Sequence, residues 1–272
     1  MKELRGRTAV VTGGGSGIGR GMALAFAEAG MNVVVADIEE DAAVAVKKEV
    51  EAHGVQALSA CTDVTKPESV QALADTAFRE LGEVHLLCNN AGVATFGTID
   101  EITLADWNWV LAVNLHGVVH GLHAFVPRMK EQPGEKHVVN TSSTAGMWPH
   151  PTLAPYVATK YAVVGISETL RREGADYGLS CSALIPGNTR TAIVSSARNR
   201  LPEFGGAHDV DEPDVQAAIE EGMDPEEVGR IVRQGIIEDE EYIWTHPHKM
   251  ELADERLDAV HTSLEQARKR SA

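Results

Sequence analysis

The chain has 272 residues with 24 basic and 40 acidic side chains, which gives a formal net charge of −16. This balance argues against a nucleic-acid partner and against charge-driven binding to a membrane, since both require a basic surface. The hydrophobic content of 43% is typical of a soluble globular protein, and no apolar run approaches the ~18 residues of a membrane span.

Short β-branched runs alternate with amphipathic stretches as far as residue 185. Strands that alternate with helices predict βαβ units with right-handed crossovers, and therefore an α/β fold with a doubly wound parallel sheet. The predicted strands cover 8–11, 33–36, 57–61, 84–88, 137–141 and 180–185, and the predicted helices cover 17–29, 38–53, 67–81, 104–129 and 154–176.

The alternation lapses after residue 185. Residues 188–223 contain Gly205-Gly206 and a strongly acidic stretch. A gap of this length inside a compact domain is typical of a functional lid or a disordered segment. A helix over 225–237, a strand over 242–244 and a helical tail over 246–272 are predicted to follow. We interpret residues 1–272 as a single domain with a substrate-loop insert at 188–223.

The first predicted strand runs into a glycine-rich loop and then a helix. Gly13, Gly17 and Gly19 would let the backbone turn tightly and approach a pyrophosphate, which the N–H groups at the start of the helix would bind. The spacing is G-x-x-x-G-x-G rather than G-x-G-x-x-G, because Arg20 occupies the sixth position of the second pattern. Between a strand and a helix, this loop favours a nucleotide site over a plain structural turn.

Two aspartates follow the next two strands. Asp37 lies 18 residues after Gly19, where an acidic residue accepts hydrogen bonds from the adenosine ribose of a dinucleotide. Its carboxylate would repel a 2′-phosphate, and residues 37–45 contain no Arg or Lys, so NAD is favoured over NADP. Asp63, followed by Val64, would meet the adenine amino group. Either aspartate could instead serve as a helix cap or turn residue.

Tyr156 and Lys160 are four residues apart on a predicted helix and share a face. Taking a hydride from an alcohol carbon requires a base for the hydroxyl proton. Tyrosine, with an ordinary pKa of about 10, is a poor base at neutral pH unless a nearby ammonium group stabilises the phenolate. Alone, such a pair is more often an exposed surface pair.

The ordered set of motifs resembles the short-chain dehydrogenase/reductase family, motif by motif over residues 5–187 and more loosely to about 245. It comprises Gly13-x-x-x-Gly17-x-Gly19, Asn89-Asn90-Ala91-Gly92, Asn114, Ser143, Tyr156-x-x-x-Lys160 and Pro186-Gly187. The resemblance implies a Rossmann fold and an oxidoreductase.

Residue roles follow from this resemblance. Tyr156 would be the acid/base, Ser143 would hold the substrate oxygen, and Lys160 would also bind the nicotinamide ribose. Asn114 would support a water-linked proton relay. The predicted cofactor-binding set is Gly13, Ser16, Gly17, Ile18, Gly19, Asp37, Asp63, Val64, Asn90, Ala91, Gly92, Tyr156, Lys160, Pro186, Gly187, Thr189 and Thr191.

The loops beyond the strand ends are largely apolar and indicate a hydrophobic or aromatic alcohol or ketone, although some of these residues could only pack the loops. We expect His150 to touch substrate or to lie exposed. The apolar loop residues are Phe96, Met147, Trp148, Leu153, Ile193 and Val194, and the predicted substrate contacts are Phe96, Ser143, Trp148 and Tyr156.

His116, His120 and His123 would share one helix face. Zinc is conceivable there, but the chemistry needs no metal, so none is predicted. The resemblance implies that this helix packs against a second subunit. We expect a homo-oligomer, a tetramer or a dimer, with no nucleic-acid or membrane partner. The absence of an apolar signal segment and the three scattered cysteines indicate the cytoplasm.

We therefore expect an NAD-dependent oxidoreductase that interconverts a secondary alcohol and a ketone. The alternatives are a catalytically silent NAD-binding scaffold and a family member that reduces enoyl groups or epimerises its substrate. Loss of Tyr156 or Lys160 would favour a silent scaffold, and both are present.

The negative charge is concentrated late in the chain. Residues 203–258 hold 18 acidic and 4 basic residues, whereas residues 1–202 carry a net charge of only −4. We expect these late helices to overhang the substrate mouth as a solvated lid and to disfavour anionic substrates.

Overall fold

The computed structural model describes residues 1–249 and 251–271. Its centre is a sheet of seven strands, all paired in parallel, in the order β3-β2-β1-β4-β5-β6-β7. The strands are β1 (Thr8–Thr12), β2 (Asn32–Asp37), β3 (Ala57–Cys61), β4 (Leu86–Asn89), β5 (Lys136–Thr141), β6 (Leu179–Ile185) and β7 (Tyr242–Trp244). The predicted doubly wound parallel sheet of a Rossmann fold is confirmed.

Helices cover both faces of this sheet. They are α1 (Gly17–Glu28), α2 (Glu40–Glu51), α3 (Pro67–Leu81), α4 (Leu104–Val110), α5 (Gly117–Glu131), α6 (Ala154–Gly174), α7 (Pro213–Glu220), α8 (Pro225–Glu238) and α9 (Glu251–Arg270). Successive side chains of β1 enter opposite cores: Val11 packs in the core that contains α1 and α8, and Val10 in the core that contains α3 and α5. Such two-sided burial explains why the strands read as continuous apolar runs.

The helix predicted over 104–129 is interrupted by a π-helical segment, Leu111–His116, between α4 and α5. A π turn inserts one extra residue into the helix and re-aims the side chains within it. No local sequence pattern marks this insertion, so it was missed. The segment carries Asn114 inward, where it is buried.

Taken together, α4, the π segment and α5 (Leu104–Glu131) form, within the described ranges, the one helical stretch long and apolar enough to cross a membrane. Phe125 and Met129 on its inner face are fully buried in the sheet core. This burial pattern is typical of the core helix of a globular protein.

The insert is not a structureless loop. It contains the 3₁₀ helices Ser196–Asn199 and Pro202–Phe204 and the helix α7, and Thr189 pairs with Met223 where the insert ends. The predicted helical tail is largely α9. Residues 250 and 272 of that prediction lie outside the described residues.

The expectation that all the late acidic helices overhang the substrate mouth is wrong for α8. This helix packs on α1, where Gly21 and Gly229 let the two backbones touch. A Cβ at Gly21 would lie 1.9 Å from the Pro225 carbonyl oxygen, which no side chain tolerates.

Candidate active site

A cavity of about 670 Å³ opens at the carboxyl edge of the sheet. It spans the point where the strand order reverses, between β1 and β4, which is where open parallel sheets bind ligands. Its walls come from the glycine loop after β1, the segments after β4 and β5, the start of α6 and the insert.

The glycine loop fits a dinucleotide. Gly13 and Gly17 have φ of 62° and 50°, in the left-handed region that favours glycine, and a Cβ at Gly19 would lie 2.0 Å from the Gly13 carbonyl oxygen. Ser16 caps α1 without a side-chain hydrogen bond, and Ser16, Gly17 and Ile18 line the cavity. The start of α1 is therefore an uncapped helix N-terminus at a cavity, a site suited to a pyrophosphate.

Asp37 is held in place by the backbone. Its Oδ2 accepts a hydrogen bond from Gly15 N at 2.8 Å, and its Oδ1 accepts one from Glu39 N at 3.0 Å. Both bonds fix the orientation of the Asp37 carboxylate, which lines the cavity. Asp63 also lines the cavity, and its Oδ1 accepts hydrogen bonds from the backbone and hydroxyl of Thr65.

Asn90 braces the glycine loop from β4. Its Nδ2 donates to the carbonyls of Thr12 and Gly13 at 3.1 and 3.2 Å, and its Oδ1 accepts from the Thr141 hydroxyl. Because these bonds join β1, β4 and β5 where their strands end, they fix the loop on the sheet.

Tyr156, Lys160 and Ser143 converge on the cavity. The Lys160 ammonium lies 5.2 Å from the centre of the Tyr156 ring and donates to the Thr141 carbonyl at 2.8 Å. Burial lowers the pKa of Lys160 to about 8. Burial also raises the pKa of Tyr156, and a hydrogen bond with Ser143 opposes that shift.

The neighbouring serines are told apart by their partners. The Ser142 hydroxyl donates to the Lys160 carbonyl at 2.8 Å and so ties β5 to α6. The Ser143 hydroxyl accepts from Ala145 N at 3.1 Å and interacts with Tyr156. Ser143 is therefore the serine that faces Tyr156.

Asn114 lies behind the cavity wall rather than in it. Its side chain accepts from Val93 N at 2.8 Å and donates to the Val93 carbonyl at 2.9 Å. A Cβ at Gly92 would lie 3.6 Å from both Asn114 Oδ1 and Lys160 Nζ. The bare glycine therefore leaves space between the two groups, as a water-linked relay requires.

The segment after β6 forms the floor of the cavity. Pro186, Gly187, Thr189 and Thr191 all line it. Gly187 N donates to Nδ1 of His246 at 3.1 Å, and a Cβ at Gly187 would overlap the His246 ring. His246, which follows β7 and is half-buried, has a structural role that no sequence pattern indicated.

The part of the cavity bordered by the loop before α6 and by the insert, where substrate is expected and which we call the substrate half, is mostly apolar with a few polar groups. Of the predicted apolar loop residues, Phe96, Leu153 and Ile193 line it, whereas Met147, Trp148 and Val194 do not. Trp148 is buried behind the wall, with its ring 5.7 Å from that of His150, which does line the cavity. Trp148 is thus placed to support the wall. Further apolar lining residues are Trp109, Val113, Leu201, Phe204, Val215, Ala218 and Ile219.

Most of the predicted cofactor set lines this one cavity, and Gly19 is the exception because it packs beneath Gly13. Glu39, Arg198 and Asn199 line the cavity as well and were not predicted. The arginine and asparagine come from the insert, so their position depends on the fold.

The predicted histidine face is only partly exposed. Nδ1 of His120 lies 2.9 Å from the Val64 carbonyl oxygen, and the His116 and His120 rings are 6.4 Å apart. Among the described residues, no three histidine, cysteine, aspartate or glutamate side chains are grouped to hold a metal ion.

Comparison with known proteins agrees with this geometry. Residues 7–202 match the model of the short chain dehydrogenase family. A C alpha-dehydrogenase of Sphingobium sp. is 31% identical over 269 residues, which covers 97% of this chain and 88% of that protein. A cyclohexanol dehydrogenase of Acinetobacter sp. is 34% identical, over 71% of this chain and 77% of its own length.

Solved structures give the same result. A short-chain dehydrogenase/reductase from Burkholderia phymatum in complex with NAD superposes with a TM-score of 0.92 at 36% identity, covering 97% of each chain. A protein of Sphingobium sp. solved as LigD in its apo form superposes with a TM-score of 0.81 at 29% identity, over 96% of this chain and 98% of its own.

Proposed function

The chain belongs to the short-chain dehydrogenase/reductase family and is an oxidoreductase of CH–OH groups, and on this premise we propose that it is an NAD-dependent enzyme that interconverts a hydrophobic or aromatic secondary alcohol and its ketone. The observation that carries the proposal is the convergence of Ser143, Tyr156 and Lys160 in the cavity that the glycine loop and Asp37 also line.

Tyr156 transfers the proton to and from the substrate oxygen. In oxidation it takes the hydroxyl proton of the alcohol, and in reduction it returns that proton to the ketone oxygen. Its buried phenol has a raised pKa, so the phenolate needs a cation beside it. Lys160, with a pKa of about 8, keeps its charge at neutral pH and is 5.2 Å from the ring centre.

The remaining residues hold the reactants. Ser143 faces Tyr156 and would hold the substrate oxygen within reach of the phenol. The N-terminus of α1 would hold the pyrophosphate, and Asp37 the adenosine ribose. When bound, the dinucleotide would supply the hydride acceptor for oxidation of the alcohol and the hydride donor for reduction of the ketone.

The cofactor and substrate assignments rest on charge and polarity. Asp37 repels a 2′-phosphate, and a relative that is 36% identical forms a complex with NAD. The apolar walls of the substrate half and relatives named for cyclohexanol and 3beta-hydroxysteroid suit an uncharged, hydrophobic alcohol. Alcohols, ketones and enones tested with both cofactors would identify the substrate class.

We also propose that the protein is cytoplasmic and forms a homo-oligomer. Leu104 and Val119 on the long helix and Leu257, Val260 and Leu264 along α9 leave apolar side chains exposed. Faces of this kind suit contact between subunits.

The decisive test is Tyr156→Phe. Removing the phenolic oxygen should lower kcat at least about 100-fold, because general acid–base catalysis contributes roughly 10²–10⁴-fold. The affinity for NADH, measured by calorimetry, should stay within about twofold, since a phenyl ring fills the same space.

Tyr161→Phe is the matched control. Tyr161 lies one residue beyond Lys160, and its ring packs against Arg256. This variant should keep wild-type turnover. A Tyr156→Phe enzyme that also keeps wild-type turnover would remove the proposed acid/base from the mechanism.

A further inference from the structure

A carboxylate after β2 is bonded to the insert across the cavity. Glu39 Oε1 accepts hydrogen bonds from Arg198 Nη2 at 2.5 Å and from Asn199 Nδ2 at 2.6 Å. Both donors come from the 3₁₀ helix Ser196–Asn199, about 160 positions along the chain. These two bonds lower the pKa of Glu39 more than its partial burial raises it, and so keep it charged.

This cluster lies at the end of the cavity where the adenosine ribose is expected. Glu39 N donates to Asp37 Oδ1 at 3.0 Å, and Asp37, Glu39, Arg198 and Asn199 line the same cavity. A group on the ribose 2′ oxygen would therefore meet Asp37 and, beside it, the Glu39–Arg198 ion pair.

Arg198 brings a cation to a region that is acidic in the sequence. Among the described residues that line the cavity, Arg198 and Lys160 are the lysine and arginine side chains, and Lys160 belongs to the catalytic group. Guanidinium groups bind phosphates well because their N–H donors match the oxygens in pairs. A free Arg198 at this position would favour a 2′-phosphate.

Arg198 is not free, however. Its Nη2 is held by Glu39, and its Nη1 donates to the Ser195 carbonyl at 3.1 Å. With both terminal nitrogens engaged and its charge neutralised by Glu39, it offers little attraction to a phosphate.

We propose that Glu39 is a second determinant of cofactor choice, which acts with Asp37 by sequestering Arg198 and so disfavours the 2′-phosphate of NADP. The proposal rests on the proposed function, in which this cavity binds NAD. Asp37 excludes the phosphate by repulsion, and Glu39 withholds the side chain that would otherwise attract it.

The test is Glu39→Gln, with NADH and NADPH affinities measured by calorimetry in the absence of substrate. The amide keeps the size of the side chain but loses the charge that holds Arg198. The affinity for NADPH should rise about fivefold, the upper range for an exposed ion pair, while that for NADH stays within about twofold. In an Asp37→Ser background, adding Glu39→Gln should raise the NADPH affinity by a larger factor than it does in the wild type.

Arg198→Gln distinguishes the proposed release of Arg198 from a direct effect of losing the negative charge at position 39. Alone it should leave the NADPH affinity within about twofold of wild type, because Arg198 is already neutralised. In Glu39→Gln/Arg198→Gln the gain should disappear. A gain that persists in this double variant would overturn the role of Arg198.

Glu28→Gln is the matched control. It makes the same change in net charge and breaks a similar pair, Glu28–Arg233 at 3.2 Å, whose members do not line the cavity. Neither affinity should change. Thermal unfolding of each variant reports whether it is folded.

The outcomes distinguish the two proposals. If the wild type binds NADPH more tightly than NADH, the proposed choice of NAD fails. If the wild type prefers NADH and Glu39→Gln leaves NADPH affinity unchanged with either residue at position 37, only the present inference is overturned. A fall in both affinities would likewise overturn it, since Glu39 would then act only in holding the insert.

Discussion

At the scale of single residues, burial of the charged Lys160 lowers the stability of the folded protein. The side chain is 3% exposed and donates to the Thr141 carbonyl, yet its pKa falls to about 8 because burial disfavours the ammonium form. The folded protein therefore binds the proton less tightly than the unfolded chain does.

This difference gives a pH dependence of known sign. Between pH 8 and the ordinary lysine pKa of about 10.5, the unfolded chain holds a proton that the folded protein has released. Stability rises with pH wherever the unfolded state binds more protons. The penalty for burying the charged Lys160 is thus present at pH 7 and is relieved as the pH rises above 8.

Lys160→Met should remove this dependence. Between pH 7 and pH 9.5, the free energy of unfolding of the wild type should rise by about 2 kcal/mol relative to that of the variant. Urea denaturation at several pH values measures the difference, and turnover of the variant should collapse.

Lys136→Met is the control for burial without catalysis. Lys136 is also buried, burial lowers its pKa, and it donates to the carbonyls of Gln132 and Tyr177 away from the cavity. The free energy of unfolding of the wild type should again rise with pH relative to that of Lys136→Met, and this variant should retain turnover. Parallel stability curves for wild type and Lys160→Met would contradict the lowered pKa.

At the scale of elements, the insert is held on the body by specific pairs. Arg200 is 5% exposed, bonds Asp106 of α4 and the Phe204 carbonyl, and packs over the Trp109 ring. Asp106 also caps its own helix by accepting from Thr103. One carboxylate thus fixes both the start of α4 and the insert above it.

Asp106→Asn should loosen this attachment. Leaving a buried guanidinium without its carboxylate should lower the free energy of unfolding by about 3 kcal/mol. The first protease cuts should then fall within residues 188–223, and KM for the alcohol should rise because the insert lines the substrate half.

Asp75→Asn tests whether any lost ion pair has this effect. Asp75 pairs with Arg128 on the surface at 3.0 Å, so its loss should change stability by less than about 1 kcal/mol. Equal losses from the two variants would show that Arg200 is not the anchor.

Acid should loosen the same pair. Burial alone would raise the pKa of Asp106, but hydrogen bonds from Thr103 and Arg200 outweigh it and lower that pKa. A carboxyl group whose pKa is lowered by folding contributes stability above its ordinary pKa and loses it as the pH falls through the folded value. This contribution is therefore complete at neutral pH and is lost only in acid.

At the scale of the whole molecule, some of the acidic side chains form ion pairs and others face solvent or the cavity. Asp224 pairs with Arg190, Glu226 with Arg20, and Asp239 with Arg171, so part of the acidic excess is neutralised by arginines from earlier in the chain. Helix α7, by contrast, brings Asp214 to the cavity. A net charge of −16 with a carboxylate at the mouth should repel anionic substrates.

This repulsion predicts a salt effect. At saturating NAD, kcat/KM for a carboxylate-bearing alcohol should be lower than for its methyl ester, and the gap should narrow between about 0.02 and 0.5 M salt, where screening shortens the range of the field. The ester is the matched neutral control. A gap that does not respond to salt would place the discrimination in local contacts rather than in the field.

The elements that could be predicted from the sequence are those whose determining residues are close together in the chain. Strand 57–61 and helix 67–81 were predicted with their observed bounds because hydrophobic period and a first-turn proline are local signals. The π segment was missed because no local pattern marks it, and the partner of its buried Asn114 is Val93, 21 residues away.

The sequence by itself determined the fold class and predicted that the glycine loop, Asp37, Ser143, Tyr156 and Lys160 share one site, because each rests on a short motif or on residues that end adjacent parallel strands. The tertiary structure alone decided that α8 packs on α1, that His246 supports Gly187, and that Arg198 reaches Glu39. Residues 37–45 hold no basic residue, yet folding brings an arginine to them from 159 positions away. Contacts of that kind depend on how the insert packs over the sheet, and no local pattern of residues specifies that packing.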